Sequence, residues 1–497
     1  ASDVYKRQVM NKENKPILRK FDTKVQYLKY KVLREVARHT YDDTLTGSFN
    51  DIAKTVVKDK ATMRCCIYKE RAIVGERIGM AGGGHKNIDN IIEVLDIACD
   101  ECPMDGYEVT HMCRGCLAHR CEDVCKRGAL SFDENQKAHI DKEKCVNCGM
   151  CAKVCPYGAI VNIERPCVRA CKVKAISMNA EHAAQIDISK CINCGACVYQ
   201  CPWGAITDKS YITEVVKLLK EYGNDENTKL YAVIAPSISG QFSYTNIKLG
   251  QVVTGIKQLG FDQVVEAALG ADIVAYNEAK ELAEKGFLTS SCCPAFVDFV
   301  KKNFPELKDN ISHNPSPMAA ISKLIKEKDP TAKVVFIGPC TAKKAEIKLD
   351  PIKDYVDSAL TFEELQALFD AREIDLTGLE ETDVDSASLY GGASYFGRIF
   401  ARCGGLAEAV QEALKEQGNE DFELHAVSCD GIEECRVALM KASKGIGNVN
   451  FIEGMACVGG CIGGAGCLTH AAKNKIEVDK FGKESKEKSI ADAIKNL

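Results

Sequence analysis

Sixteen cysteines lie between Cys99 and Cys201, and their spacing could hold four iron–sulfur clusters with four thiolates each. The two clearest runs are KCVNCGMCAKVCPYGAI and KCINCGACVYQCPWGAI. Thiolate is a soft ligand that suits iron–sulfur clusters, and the short spacers let one loop supply three corners of a cube. Because such clusters carry electrons, this part of the chain is predicted to conduct them.

The cysteine runs repeat one unit, in which GAL, GAI or KAI follows a final cysteine. MCRGCLAHRCEDVCKRGAL is a third run, and ACDECP with RPCVRACKVKAI forms a fourth that the middle two split. The clear runs resemble two-cluster ferredoxins, in which the fourth cysteine of a run binds the other cluster. A nested exchange of this kind predicts four ligand sets: Cys113, Cys116, Cys121 and Cys155; Cys145, Cys148, Cys151 and Cys125; Cys99, Cys102, Cys167 and Cys201; and Cys191, Cys194, Cys197 and Cys171.

Spacing alone does not prove this assignment, and structural zinc and disulfides are the alternatives. Zinc sites typically use two short ligand pairs and not runs of four. The sequence shows no secretory signal, which argues against disulfides. Unpaired thiols in such number lead us to expect a reducing cytoplasm.

Composition limits the possible partners. Hydrophobic residues make up 46% of the 497 residues, and no apolar run approaches the roughly 18 residues that a membrane span needs. The 65 basic and 70 acidic residues give a net charge of -5. We therefore expect neither nucleic acid nor a membrane as a partner.

The chain is predicted to divide into several segments. Residues 1–9 precede a more natural start at Met10 and are interpreted as a sequence scar. Residues 10–95 form a basic, helical lead-in of unknown role, in which Cys65 and Cys66 are either ligands or packed or free thiols. Residues 96–209 form the iron–sulfur segment, and residues 225–497 form a further domain.

The last segment alternates β-rich runs with amphipathic helices, among them LYAVIAP, ADIVAYNEAKELAEKG, AKVVFIG, TFEELQALFD, FELHAVS and NVNFIEG. This alternation predicts an α/β domain with largely parallel sheets. The fold class is therefore an α+β ferredoxin-like iron–sulfur segment followed by an α/β domain. Sites in such sheets gather beyond the carboxyl ends of strands.

Three loops that follow apolar runs carry further cysteines: TSSCCPAF, FIGPCTAKKAE and IEGMACVGGCIGGAG. If one cysteine of the adjacent pair is set aside, four thiolates remain, which is enough for a fifth cubane. The spare thiol beside that cubane is a candidate acid. The glycines in the last loop lack a Cβ and would let the backbone approach a bulky inorganic group.

These three loops, in this order and behind a multicluster segment, resemble the signatures of the [FeFe]-hydrogenases. That family reversibly reduces protons to H2 at an H-cluster, a [4Fe–4S] cubane joined to a two-iron subsite with CO, cyanide and an amine-containing dithiolate bridge. The resemblance implies that the cubane ligands are Cys293, Cys340, Cys457 and Cys461, with Cys461 bridging to the two-iron unit. It also implies four accessory [4Fe–4S] clusters that exchange electrons with ferredoxin or a similar small carrier, and dependence on maturation proteins.

The resemblance assigns roles around the two-iron unit as well. Cys292 becomes the proton-relay thiol, Lys343 donates to a cyanide on the distal iron, Ser237 meets the proximal cyanide, and Met455 packs against the iron pair. Lysine suits an anionic cyanide because it is a compact cation with three donors. The adjacent Lys344 is expected to be a solvated surface charge.

A proton route is implied between Cys292 and water. Glu278 and Glu281 are three residues apart, so on a helix they share a face. The resemblance places them on the family's relay together with Ser312, and Ser316 is a weaker, backbone-supporting candidate. Without the resemblance, two glutamates on a lysine-rich helix would be ordinary solvated charges.

The chain departs from better-known family members around the two-iron unit and resembles the less studied group B branch. It has Gly338 and Met318 where those members have Met and Gln, Phe296 in place of Trp, and a GGAGCL ending in place of GGGQP. None of these changes affects a cubane ligand.

Other functions remain open. One alternative is a noncatalytic relative, similar to iron–sulfur assembly factors, which typically lack the first cysteine of the pair. Another is an H2 sensor that acts through a separate signalling partner. A flavin or nicotinamide enzyme would need a Gly-rich nucleotide fingerprint, and no convincing one is present in the sequence.

Overall fold

The computed structural model describes residues 6–10, 16–61, 64–103, 105–223, 225–242, 246–419, 421–495 and 497. Residues 1–5 of the predicted scar therefore lie outside the described residues. Its last four residues belong to strand β1 (Lys6–Met10), which pairs antiparallel with β2 (Pro16–Lys20).

The rest of the lead-in is mainly helical, with helices α1 (Lys24–Tyr41), α2 (Phe49–Val56) and α3 (Ile67–Ala81). Helix α1 begins where the Thr23 hydroxyl accepts a hydrogen bond from the Gln26 amide at 3.0 Å. Its apolar residues at positions 28, 32 and 36 recur every fourth residue and are buried in the main core.

The iron–sulfur segment consists of short antiparallel strand pairs and single-turn helices between cysteine loops. The pairs are β3 (Ile92–Val94) with β10 (Ile206–Asp208), β4 (Gly106–Val109) with β7 (Ile160–Ile163), β5 (Leu130–Phe132) with β6 (Ala138–Ile140), and β8 (Ile176–Met178) with β9 (Ala184–Ile186). The helices are α4 (Arg120–Asp123), α5 (Met150–Val154), α6 (Pro166–Ala170) and α7 (Ala196–Gln200). Strand β3 lies before residue 96, so the lead-in contributes a strand to this segment.

After helix α8 (Ile212–Tyr222), the chain forms two parallel sheets. The first has the strand order β12-β11-β14-β15, with β11 (Leu230–Ile234), β12 (Gln263–Glu266), β14 (Lys333–Gly338) and β15 (Ser358–Thr361). The second has the order β13-β17-β16, with β13 (Leu288–Thr289), β16 (Ala426–Asp430) and β17 (Phe451–Met455). Every strand pair in these two sheets is parallel, which confirms the predicted α/β domain.

The helices of this domain cover and connect the two sheets. They are α9 (Leu249–Leu259), α10 (Ala267–Lys285), α11 (Pro294–Asn303), α12 (Pro317–Lys328), α13 (Thr341–Glu346), α14 (Phe362–Ala371), α15 (Ser386–Leu389), α16 (Tyr395–Ile399), α17 (Gly405–Glu416), α18 (Ile432–Ala442), α19 (Asn474–Lys483) and α20 (Ile490–Ile494). The stretch TFEELQALFD thus forms the end of β15 and helix α14, whose capping box joins Thr361 and Glu364.

The apolar core runs without a break from the lead-in into the α/β domain. Helix α1 packs against α14 and α8, and Val36 lies in the same buried cluster as Leu368 and Val233. The lead-in is therefore part of the wall of the α/β domain. Within the described ranges, no helix has both the length and the apolar character needed to cross a bilayer.

Candidate active site

The three predicted cysteine loops meet at the carboxyl ends of parallel strands. Cys292 and Cys293 lie between β13 and α11, Cys340 lies between β14 and α13, and Cys457 and Cys461 follow β17. Burial, together with neighbouring thiolates that include Cys293, raises the pKa of Cys340 to about 11 and that of Cys461 to about 12, although Lys343 opposes both shifts. The fold thus brings the four predicted cubane ligands together in a buried space.

An apolar cavity adjoins these thiols. It is lined by Cys292, Lys343, Met455, Cys461 and Phe400, together with neighbouring alanines and prolines. The loops that surround it approach closely, since a Cβ at Gly464 would lie 2.5 Å from the Pro339 carbonyl oxygen. Cys461, which the resemblance makes the bridging ligand, is thus in the wall of this cavity.

Two buried polar groups suit an anionic inorganic group here: Lys343, which lines the cavity, and Ser237, which follows the cavity-lining Pro236 in the chain. Ser237 is fully buried in the turn after β11, and its hydroxyl oxygen has no hydrogen-bond partner among the described residues. Lys343 donates to Glu346 Oε2 at 2.6 Å and to the Cys292 carbonyl oxygen at 3.4 Å. Burial alone would lower the pKa of Lys343, but Glu346 and the nearby thiolates raise it above its ordinary value. A buried unpartnered hydroxyl and a buried cation fit cyanide ligands, so the residues present are compatible with the H-cluster.

Lys344 is not the solvated charge that the sequence suggested, and this expectation is wrong. Its side chain is fully buried, and its ammonium donates to Asp208 Oδ2 and Glu364 Oε1, each at 2.9 Å, and to the Lys209 carbonyl oxygen at 2.8 Å. Lys29 on α1 donates to the same aspartate at 2.5 Å and to Glu363 at 2.7 Å. Because helix α13 is buried by the surrounding elements, both of its lysines form ion pairs with buried carboxylates. This ion cluster joins the lead-in, the iron–sulfur segment and the active-site helix.

Gly338, one of the departures from better-known members, has a local steric reason. A Cβ at this position would lie 2.5 Å from Phe336 Cζ and 3.2 Å from the Cβ of Ala235. Phe336 itself lines the cavity, as does the buried Met318. A methionine at position 338 would therefore require the Phe336 ring to move. Phe336 and Met318 thus form a part of the cavity wall for which the resemblance gives better-known members other side chains.

The inner part of the predicted proton route is buried. Cys292 is 8% exposed, and burial raises the pKa of its thiol well above the ordinary value, with the charge of Glu278 adding to the effect. Glu278 Oε1 accepts hydrogen bonds from the Ser291 amide and hydroxyl, both at 3.2 Å, while Oε2 has no partner among the described residues. Burial raises the pKa of Glu278 to about 7, although the two hydrogen bonds from Ser291 oppose the shift. This carboxyl group can therefore hold or release a proton near neutral pH.

The outer part of the route reaches the surface. Glu281 Oε2 accepts hydrogen bonds from Ser312 Oγ at 3.4 Å and Asn314 Nδ2 at 3.0 Å. Burial opposes ionisation of Glu281, but hydrogen bonds from Lys285 and His313 lower its pKa overall. The predicted Ser316 caps α12 by accepting from the Ala319 amide at 3.4 Å, a local structural role. Sequence reasoning missed the contacts of Ser291, Lys285, His313 and Asn314, since only proximity to Glu278 and Glu281 distinguishes them.

Several accessory thiols lie near the partners that the nested assignment predicts for them. Cys113, Cys116, Cys121 and Cys155 line one small cavity. Burial raises the pKa of Cys167 to about 12, with repulsion from Cys201, Cys99 and Cys102 adding to it. Cys151 is likewise near Cys145 and Cys125. Cys197 is near three thiols, those of Cys191, Cys194 and Cys171. Cys148 is exposed in the loop before α5. No three His, Cys, Asp or Glu side chains in the described part of the chain are arranged to bind a single metal ion. A four-iron cube holds its thiolates further apart than one ion does.

The repeated alanine after each final cysteine has a structural function. The amides of Ala129 and Ala159 donate to the sulfur of Cys125 and Cys155, each at 3.4 Å. Those of Ala175 and Ala205 donate to Cys171 and Cys201, each at 3.2 Å. Amide hydrogen bonds stabilise thiolates and adjust the reduction potential of a bound cluster. Each GAL, GAI or KAI repeat thus makes the same hydrogen bond, from its alanine amide to the sulfur of the preceding cysteine.

One accessory group lies against the active-site loops. The charge of Cys293 contributes to the raised pKa of Cys194, and that of Cys194 to the raised pKa of Cys457. Thr341, which follows Cys340, donates to the Asn193 carbonyl oxygen at 2.7 Å. Cys197 in turn faces Cys167 of the next group. The thiol groups therefore form a series that leads to the active-site cysteines.

The remaining cysteines have packing contacts. Cys435 and Cys467 are fully buried in apolar clusters, and each thiol donates to a backbone carbonyl, Cys435 to Met455 and Cys467 to Ile462. Cys429 is buried near Cys435, and Cys403 lies at the turn before α17. Cys66 is exposed and caps α3 by accepting from the Lys69 amide at 3.4 Å, next to the exposed Cys65.

Comparison with known proteins gives three family matches. The family described as iron only hydrogenase large subunit, C-terminal domain, matches residues 228–465. A 4Fe-4S dicluster domain matches residues 112–159, and a 4Fe-4S binding domain matches residues 184–207. These ranges contain the active-site cysteines and three of the four cysteine runs.

Individual relatives agree with these matches. Iron hydrogenase 1 of Clostridium pasteurianum is 30% identical over 262 residues, which cover 44% of this chain and 45% of that protein. The periplasmic [Fe] hydrogenase large subunit of Nitratidesulfovibrio vulgaris is 30% identical over 386 residues, which cover 67% of this chain and 87% of that protein. The cytosolic Fe-S cluster assembly factor NAR1 of Eremothecium gossypii is 28% identical over 161 residues, which cover 31% of this chain and 36% of that protein.

Proposed function

Because the chain belongs to the iron-only hydrogenase family, we propose that it catalyses the reversible reduction of protons to H2 at an H-cluster. One observation carries the proposal: Cys292 and Lys343 line the same cavity as the predicted bridging ligand, Cys461. A thiol that exchanges protons and a cation that holds an anion are both needed there. Three of the four predicted cubane ligands, Cys293, Cys340 and Cys461, also line this cavity.

Each side chain has a defined task in this reaction. When bound, the H-cluster supplies the redox centre at which two protons and two electrons combine. Cys293, Cys340, Cys457 and Cys461 hold its cubane, and Lys343 and Ser237 hold its anionic ligands through hydrogen bonds. The apolar wall around Met455 excludes bulk water, which strengthens these electrostatic contacts.

Protons move through the chain's own groups. The Cys292 thiol exchanges a proton at the cavity, and Glu278, whose charge acts on this thiol, exchanges the next one. A pKa of about 7 lets Glu278 act as donor and acceptor at neutral pH. Ser312 connects to Glu281 at 3.4 Å, and from there the route reaches water.

Electrons travel along the accessory thiol groups. We propose that these groups hold four [4Fe–4S] clusters, that ferredoxin or a similar small carrier is the partner, and that maturation proteins insert the two-iron unit. The series of neighbouring groups from Cys167 through Cys197 and Cys194 to Cys293 supports electron transfer into the active site. The number of unpaired thiols supports a cytoplasmic location.

A noncatalytic role like that of the assembly factors is the second candidate. The partial similarity to NAR1 keeps this role open. The resemblance indicates that such relatives carry no two-iron unit and typically lack the thiol at position 292. Cys292 and the buried Lys343 favour catalysis over this role, and an H2 sensor would need the same cavity together with a signalling partner.

The test is a pair of adjacent variants in matured protein. Cys292→Ala should keep the CO and cyanide infrared bands but lower H2 turnover by about 10²- to 10⁴-fold, since only a proton-transfer group is removed. Cys293→Ala should lose the H-cluster. If Cys292→Ala loses the cluster and Cys293→Ala retains it, the two roles are exchanged. If wild-type protein takes up no two-iron unit and neither makes nor consumes H2, the noncatalytic role is the better account.

A further inference from the structure

The surface end of the proton route contains a histidine that the sequence analysis did not consider. His313 Nδ1 lies 2.6 Å from Glu281 Oε1, and the backbone amide of His313 donates to both oxygens of the same carboxylate. The His313 side chain is 73% exposed, whereas that of Glu281 is 14% exposed. The imidazole therefore stands between a mostly buried carboxylate and water.

The 2.6 Å contact indicates which nitrogen of the neutral His313 ring carries the proton. A carboxylate accepts a hydrogen bond, so we assign the proton to His313 Nδ1 as donor; the Lys285 ammonium, 2.9 Å from the same nitrogen, then donates to Glu281 Oε1 instead. Nε2 is then the acceptor nitrogen of the ring. Lys285 is the other charged group at this position, 2.8 Å from Glu281 Oε1 and 2.9 Å from His313 Nδ1, while Ser312 and Asn314 are the neutral neighbours.

We propose that His313 is the residue through which the relay exchanges protons with bulk water. The proposal rests on the function proposed above and extends its route by one residue. Histidine is suited to this position because its unperturbed pKa allows the charge to change near physiological pH. Serine and asparagine at the same loop cannot take up a proton in this range.

The exchange is balanced at each step. For H2 formation, Nε2 accepts a proton from water or a buffer acid, which gives an imidazolium ion. Nδ1 then passes its proton to Glu281 Oε1, which leaves a neutral ring protonated at Nε2. Loss of the Nε2 proton to buffer and uptake of another at Nδ1 restore the starting tautomer. For H2 oxidation the same transfers run in reverse.

The experiment replaces His313 and a matched histidine in fully loaded protein. His313→Gln keeps a donor at similar reach but cannot carry a proton. His85 is the control, because its Nδ1 also lies 2.6 Å from a carboxylate, Glu93, which pairs with Lys209 at 3.1 Å, and its side chain is 58% exposed. In dilute buffer, His313→Gln should lower dye-linked H2 turnover by about tenfold, less than for a group at the reacting atoms, because water replaces part of its function. His85→Gln should leave turnover unchanged.

Chemical rescue separates proton exchange from a structural role. Added imidazole should restore most turnover in His313→Ala but not change wild type or His85→Ala, and the CO and cyanide bands should be the same in all of them. Unchanged turnover in His313→Gln, or a loss that imidazole does not restore, would overturn this inference and leave the proposed function intact. Wild-type protein without those bands and without H2 turnover would overturn both.

Discussion

The inner half of the iron–sulfur segment, residues 106–163, and the α/β domain position their cysteines by opposite means. In the inner half, eight ligand candidates lie on loops and single-turn helices between two-stranded sheets. Among the described residues, no member of a buried apolar cluster falls between Cys99 and Cys167. In the α/β domain, the thiols lie at the ends of fully buried strands such as β13 and β17.

The contrast shows which forces hold each site. Only scattered apolar side chains such as Leu130 and Ile160 are buried in the inner half, so ligand bonds must supply much of its folding free energy, as in other small metal-binding modules. The cysteine spacing is then local and visible in the sequence. Where a core exists, packing brings together residues that are far apart in sequence, and the site can include groups such as His313 and Asn314 that no local spacing reveals.

The largest expected effect comes from removing the clusters. Anaerobically reconstituted protein should hold about twenty irons in five cubanes before the two-iron unit is added. Oxidative removal of the iron should unfold the inner half but leave the parallel sheets folded. Hydrogen–deuterium exchange should then show full exchange in peptides from 106–163 and retained protection in peptides from 230–234 and 333–338. Equal protection in loaded and iron-free protein would show that the inner half folds without ligands, and iron for only three cubanes would refute the nested assignment.

The buried ion cluster predicts a smaller but still large effect. Lys344→Ala leaves Asp208 and Glu364 buried without that cation, which should lower the free energy of unfolding by about 3–5 kcal/mol. The matched control is Lys323→Ala, whose ammonium lies 3.7 Å from Glu327 at the surface. That change should cost less than about 1 kcal/mol. Denaturant unfolding checks both values, and similar losses in the two variants would mean that the ion cluster is not needed to join the segments.

Glu278 predicts a pH-dependent effect of smaller size. Burial raises its pKa from 4.5 to about 7, so the folded protein keeps a proton that the unfolded chain loses in this range. The free energy of unfolding should therefore fall by about 3 kcal/mol as pH rises from 4.5 to 7. Glu278→Gln should remove this loss and be more stable than wild type at pH 8 but not at pH 4, while its turnover falls.

The control for that prediction is Glu284→Gln on the same helix, where the side chain is exposed. It should change neither the pH dependence of unfolding nor turnover. Unfolding midpoints measured at several pH values check the effect. A Glu278→Gln variant with the pH profile of wild type would show that the carboxyl group is already ionised in the folded protein.

The same contrast explains how much the sequence could predict. Cysteine runs, the parallel α/β class and strands β11, β14, β16 and β17 follow from local patterns. Strands β12, β13 and β15 are four residues or fewer and lack a clear pattern of their own. The ion pair that buries Lys344 joins it to Asp208, 136 positions away in the sequence. The contact of His313 with Glu281 spans 32 positions. Periodicity does not record such tertiary contacts.

The central claim is that the cavity beside Cys292 and Lys343 holds a two-iron unit. Infrared spectra of wild-type protein matured with the two-iron precursor test it most directly, with Lys343→Ala prepared in parallel. The account predicts CO and cyanide bands in wild type, with the same bands weakened or absent in Lys343→Ala although all twenty proposed cubane thiolates remain. Absence of these bands in fully cubane-loaded wild-type protein, together with no H2 production or consumption, would contradict it.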